Sequence, residues 1–422
     1  MTVRISPARR VPSRPHLARR AITLLLASIG LIGLTPVTPA GAESPVPSGY
    51  RLVASEALGP GVEHQTLQQD RPAQSVHVAR LAPGMAGQLL PVLAHDVLTG
   101  QSSGVESTSA MCTRVRCVAA VNGDYFDGAR QPIGAMVAGG ELVATPTIPH
   151  VILGVDGQGT PTLRQGLDWN VVVLTADGTP LSVAAVNRPL SGDGITLYSR
   201  RWGPSTVTDA TTTEVPLHLP PTPDTVLPSG ASGVLVGEMR TGGDSPIPAG
   251  QAVLSGRGAG ATALAALSER AGGIAVLMVS VGGLVSAIGG SPELLRAGYL
   301  AYPTGKLDSF TQARHPRTIV GITGSGEVLL VTADGRGASA GLTLLEATRL
   351  LADLGAVYAM TLDGGGSATF VTGGSLRNVP SGGAERSVVS ALTVVAGGPP
   401  NPLTSVLEQV TDSVGGLLEP AP

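Results

Sequence analysis

The chain is 422 residues long with a net charge of −3; 42% of its residues are hydrophobic and only 14% charged. That length can bury the core of one large domain or two ordinary ones, while so small a charge leaves no electrostatic footprint for nucleic acid or an anionic membrane. Glycine and proline number 58 and 34, roughly twice the usual share, so many turns between short elements are expected.

Residues 1–20 hold six arginines and no acid, residues 21–34 form an apolar run, and Ala40-Gly41-Ala42 is an A-x-A pattern. This is the layout of a secretory signal over residues 1–42, cleaved after Ala42. The apolar run is shorter than the about 20 residues of a membrane span, which ranks an uncleaved anchor below cleavage. No later stretch reads as a membrane span, so the mature chain is expected to be secreted. Cys112 and Cys117 are the two cysteines. An oxidising compartment favours a disulfide between them over two free thiols, and with no histidine nearby they make no zinc site.

Residues 43–73 read as a polar, poorly periodic lead-in. Alternation predicts strands over 74–81 and 92–98, and a small apolar strand over 117–121 runs into Asn122-Gly123-Asp124-Tyr125-Phe126-Asp127. Strands over 133–137 and 141–143 flank Gly139-Gly140, a tight-turn signal. Further strands end at Asp156-Gly157 and Asp177-Gly178. The Thr- and Pro-rich residues 204–228 read as a long surface excursion, after which strands resume over 233–238, 252–255 and 274–281.

Helices are expected over 261–271, over 292–297 (Ser291 as cap, Pro292 in the first turn) and from Thr343, where Thr-Leu-Leu-Glu is a capping box. Gly355 stops the last helix, and residues 356–362 then form a buried strand that delivers Asp363. Residues 398–422 read as a tail. The expected class is α+β, with hairpin-rich mixed or antiparallel sheets and a few packed helices in one large domain over residues 74–397.

Four clusters bear chemistry. Asp363 stands at a strand end, followed by Gly364, Gly365, Gly366 and Ser367; glycines let main-chain amides turn toward an anionic ligand. Asn122, Gly123 and Asp124 close an earlier strand. Arg317 stands just ahead of the strand at 319–322, and Asp334 and Arg336 close the next. Each alone also reads as ordinary turn chemistry or a solvated basic loop. Together, two carboxylates and two guanidiniums meeting over one glycine-lined hollow would suit a phosphoryl group. Asp124, Asp127 and Asp363 are hard donors that suit calcium, but no spaced ligand series is visible, so no metal is required. His77, His95, His150 and His218 stand alone, whereas His315 neighbours Arg317 and is a candidate proton donor.

Asn-Gly-Asp-Tyr-Phe at 122–126, Pro-Arg-Thr at 316–318, Asp-Gly-Arg at 334–336, Leu-Thr-Leu-Leu-Glu from 342 and Leu-Asp-Gly-Gly-Gly-Ser at 362–367 resemble the phosphodiester glycosidase family. The resemblance runs over roughly residues 74–395. It includes Arg386, followed here by Ser387 where the family often has proline. The resemblance implies a hydrolase that cleaves the sugar C1–O bond of a phosphodiester, with Asp363, Asp334, Arg317 and Arg336 as catalytic residues. Asn122, Gly123, Asp124, Gly364, Gly365, Gly366, Ser367 and Arg386 would bind substrate. The partner would be a sugar-phosphodiester or an envelope glycopolymer. The alternative classes are a non-catalytic module holding an anionic glycopolymer and a phosphoesterase cutting P–O. The sequence leaves the oligomeric state open.

Overall fold

Short alternating segments separated by glycine and proline turns fold into antiparallel sheets. The computed structural model describes residues 45–99, 104–189, 192–220, 227–270, 273–302 and 312–395. The expected signal segment, 1–42, and the tail, 398–422, lie outside the described residues. Among the described residues the larger sheets have eight, nine, five and five strands, accompanied by the helices Thr108–Val115, Ala259–Arg270 and Leu344–Asp353. The class is α+β, dominated by sheet.

The eight-stranded sheet positions the candidate site. Its spatial order is Arg51–Gly59, Val62–Asp70, Ala73–Leu81, Val328–Ala333, Arg317–Thr323, Ala356–Thr361, Glu293–Arg296 and Tyr299–Leu300. Every residue of Arg317–Thr323 is buried, as expected of a strand covered on both faces. One face packs Ile319, Leu329, Val331 and Ala359 against Leu344, Ala347 and Leu351 of the Leu344–Asp353 helix. The other packs Val320, Leu330 and Met360 against Val121, Phe370 and Leu392. These last come from a five-stranded sheet containing Cys117–Asn122, Phe370–Thr372 and Ser390–Val395. The helix starts as its capping box implies: Thr343 Oγ1 accepts the Glu346 N–H at 3.1 Å and Glu346 Oε2 accepts the Thr343 N–H at 2.9 Å. Cys112 and Cys117 are joined as a disulfide, between the Thr108–Val115 helix and the following strand.

Four expectations need correction. Residues 43–73 are not a lead-in: Arg51–Gly59 and Val62–Asp70 form a hairpin that pairs on to Ala73–Leu81. The buried positions of these three strands are partly polar, including His64, Gln65, Gln74 and His77, so apolar alternation is missing. The strand expected over 92–98 is Leu89–Leu93 and gives way to a short 3-10 turn, Ala94–Asp96. Within 204–228, Thr213–His218 is an interior strand of the nine-stranded sheet, because Val215 and Leu217 are fully buried there. Glu293–Arg296 is a strand rather than a helix: Glu293 pairs with Met360 and Leu295 with Ala359, and sheet pairing overrides local propensity.

Candidate active site

Antiparallel pairing decides where the chemistry converges. Arg317–Thr323 lies between Val328–Ala333 and Ala356–Thr361 and is antiparallel to both. Its first residue therefore stands beside their last: Arg317 pairs with Ala333, and the Leu362 N–H donates to the Thr318 carbonyl at 2.9 Å. Asp334, Arg336 and the Asp363 loop all leave the sheet at this end.

The pleat then separates them. Arg317 follows the Ile319 face; it is 2% exposed, and its guanidinium donates to the carbonyls of Leu342 (Nε, 3.0 Å) and Ala313 (Nη2, 3.2 Å). Asp334 follows the Thr332 face, where Oδ1 accepts the Val379 N–H at 3.0 Å. Burial pushes its carboxyl up, opposed by hydrogen bonds from Val379, Asn378 and Ser75. The expected meeting of Asp334 and Arg317 in one hollow is thus not what the structure places: they project from opposite faces. Arg317 is anchored in the wall by main-chain carbonyls, where a guanidinium is costly to leave unpartnered.

Around Asp363 a tighter group forms. Burial pushes its carboxyl up, and the Ser367 hydroxyl, Arg386 and the Gly364 N–H pull it back, with Asp124 adding to the rise. Arg386 Nη1 donates to Ser367 Oγ at 3.3 Å. The three glycines each lie against an arginine. A Cβ on Gly364 would stand 3.0 Å from the Pro316 carbonyl oxygen and 3.9 Å from Arg317 Cδ; one on Gly365, 3.3 Å from Arg336 Nη2; one on Gly366 would run into the Arg386 guanidinium. Gly365 also has φ +61°, open to glycine at little cost. Arg336 and Arg386 are both exposed, and Arg336 Nη2 lies 3.0 Å from His315 Nδ1. Two of the three loop amides expected to face an anion already have partners within the protein. The Gly365 N–H is used by the Pro316 carbonyl at 2.8 Å and the Gly364 N–H by the Asp363 carboxyl. The guanidiniums of Arg336 and Arg386 lie against Gly365 and Gly366.

The 122–127 loop supports this group from behind. Asn122 is fully buried. Its Nδ2 donates to the Asp363 carbonyl at 2.7 Å, and its Oδ1 accepts the Thr318 hydroxyl at 2.6 Å and the Thr369 N–H at 3.1 Å. Gly123 accepts the Asp363 N–H at 3.1 Å and lies so close on Ser390 that a side chain has no room. Both, expected to touch substrate, hold the main chain of Asp363. Asp124, 3% exposed, accepts the N–H groups of Tyr125 (2.8 Å) and Gly134 (2.7 Å), and its Oδ1 lies 3.4 Å from His150 Nδ1. Asp127 Oδ1 accepts the Gln131 N–H at 2.9 Å. Among the described residues no group of three or more His, Cys, Asp or Glu is placed to hold a metal ion.

Residues 232–395 match the family model described as phosphodiester glycosidase, and this span includes Arg317, Asp334, Arg336, Asp363 and Arg386. The match is to this segment and not to the whole chain. It is 42% identical over 78 residues to the N-acetylglucosamine-1-phosphodiester alpha-N-acetylglucosaminidase of Mus musculus, a match spanning 18% of this chain and only 15% of that enzyme. Among solved structures, a hypothetical protein from Synechocystis superposes with TM-score 0.61 at 21% identity, covering 82% of this chain and 68% of the other, which is a likeness of fold. A Burkholderia pseudomallei protein described as exported superposes with TM-score 0.57 at 26% identity, covering 76% of this chain and 74% of that one. No helix among the described residues is long and apolar enough to cross a membrane.

Near the Asp363 group the structure also brings two residues that sequence reasoning did not place there. Tyr125 places its hydroxyl 3.4 Å from Thr361 Oγ1. Burial pushes its pKa up to about 12, within electrostatic reach of Asp363 and Arg317. Its place in the Asn-Gly-Asp-Tyr-Phe motif was the available signal. His150, just before the strand Val151–Asp156, stacks edge-on against Tyr125 with centroids 6.3 Å apart; nothing local in the sequence marks it.

Proposed function

We propose that the chain is an exported hydrolase that cleaves the C1–O bond of a sugar-1-phosphodiester, releasing free sugar and a phosphomonoester. The observation that carries this reading is the seating of Arg336 and Arg386 over consecutive glycines beside the Asp363 carboxyl. A phosphate leaving group has its second ionisation near pH 6, so it departs with less protonation than an alcohol needs. Two guanidiniums aimed at its oxygens stabilise the charge that builds there. Asp363 is then the carboxylate for C1, either activating water or stabilising an oxocarbenium-like state. Ser367 and Arg386 orient it, and Asn122 and Gly123 hold its main chain. Arg317 supports the clamp as part of the wall behind Gly364. This scheme requires no metal. The substrate class is a soluble sugar-phosphodiester or an envelope glycopolymer of that linkage.

Incubation of the purified chain with UDP-N-acetylglucosamine and with simple sugar-1-phosphodiesters is expected to release reducing sugar. Arg386→Ala is expected to lower kcat by about 10²- to 10³-fold, the range typical of a lost transition-state charge partner, while binding of the free sugar stays within about twofold. Equal losses in both would remove Arg386 from the clamp.

A further inference from the structure

Asp334 stands apart from the Asp363 group but not apart from chemistry. It lies at a cavity of about 380 Å³ between the Val62–Asp70/Ala73–Leu81 hairpin and the loops that follow Ala333 and Asn378. That volume falls within the range of small-ligand sites. Its polar lining includes Gln68, Gln74, Ser75, Asp334 and Ser381, and Val379 and Pro380 add an apolar wall. Val379 is 71% exposed, an apolar side chain left in water at the cavity's edge.

The polar groups are held in place before any ligand arrives. Gln74 is tied to the Tyr50 hydroxyl and to the Gly341 carbonyl at 3.3 Å. Ser339 Oγ donates to the Asp334 carbonyl at 2.8 Å and accepts the Ser75 N–H at 3.2 Å. Amides, hydroxyls and two carboxylates facing an apolar wall match a ring or chain that carries hydroxyls on one side and C–H groups on the other. Asp334 and Asp70 line the cavity against the one guanidinium of Arg336, a balance that favours a neutral ligand over an anion. Arg336 also lines it, and its guanidinium reaches the Gly365 position, so the cavity begins where the glycine loop ends.

We propose that this cavity is an accessory carbohydrate subsite that takes a neutral hexose or alditol unit. It adjoins the Asp363 centre through Arg336, and its binding of a neutral ligand does not depend on the hydrolytic reading. The test is titration of the isotope-labelled full chain with two phosphate-free probes, ribitol and methyl glucoside, followed by amide chemical shifts. Saturable shifts are expected over residues 68–75, 334–339 and 379–381. Ser381→Trp and Ala338→Trp, each filling the rim, are expected to weaken probe binding by about tenfold or more, equivalent to about 1.4 kcal/mol. Absence of saturable shifts, shifts confined to residues 363–367, or undiminished binding in folded Trp variants would overturn the subsite. If neither variant folds, the wild-type shift map alone decides. Binding of the probes without turnover of any phosphodiester leaves the subsite standing and removes the hydrolase reading; turnover without binding does the reverse.

Discussion

A methyl group on Gly366 meets the Arg386 guanidinium, the movable end of a long side chain, whereas one on Gly364 meets the Pro316 carbonyl, which is backbone. The two substitutions therefore separate function from folding. Gly366→Ala is expected to keep stability within about 0.5 kcal/mol while displacing the guanidinium and lowering turnover; Gly364→Ala is expected to destabilise by about 1–3 kcal/mol. Thermal melts beside steady-state rates check both. Asp363 adds a pH dependence. Its folded carboxyl is raised by burial and held down in part by Arg386, so the folded state binds this proton more readily than the unfolded chain. Its contribution thus favours folding at low pH and declines as pH rises through the folded value. An activity that needs the carboxylate loses it on the acid side, above the ordinary aspartate range, and Arg386→Ala moves that acid limb upward. The acidic and basic residues around Asp363 were legible as short motifs, because strand ends followed by glycines or Asp-Gly turns mark sites locally. Which face each residue takes was not, since register and pleat are set by partners far away in the chain.

The hairpin of Arg51–Gly59 and Val62–Asp70 shows the same limit at the scale of an element. Its core-facing positions include His64, whose Nε2 lies 3.1 Å from His77 Nδ1, and both rings stack on Phe370. Only one of those facing nitrogens can carry the shared proton. Glu56 lies 3.2 Å from the other His64 nitrogen, and Arg377 donates to Glu56 at 3.1 Å. Such a polar interior carries no alternation signal, which is why the strands escaped sequence reading while the helix after Thr343, with its capping box and apolar face, did not. Burial lowers both imidazoles, His77 to about 4, and His64 and Arg377 push His77 in the same direction. The unfolded chain then binds more protons, so stability falls as pH drops from about 6.5 toward about 4, by about 3 kcal/mol for His77. His77→Gln is expected to flatten that slope in denaturant titrations across this window; an unchanged slope would assign the acid sensitivity elsewhere.

At the scale of the whole molecule, the glycosidase-matching segment 232–395 does not contain everything its site needs. Ala73–Leu81 is the sheet neighbour of Val328–Ala333, and Asn122 reaches from the adjoining sheet to fix Asp363 and Thr318. The site is thus a product of the packed sheets and not of one segment. The central claim is that charge is caught on phosphate by Arg336 and Arg386 while Asp363 works at the sugar carbon. The most direct test is hydrolysis of a sugar-1-phosphodiester in ¹⁸O-labelled water, with mass spectrometry of both products. The expected result is label in the released sugar and none in the phosphomonoester; label in the phosphate would mean P–O cleavage and would contradict the account.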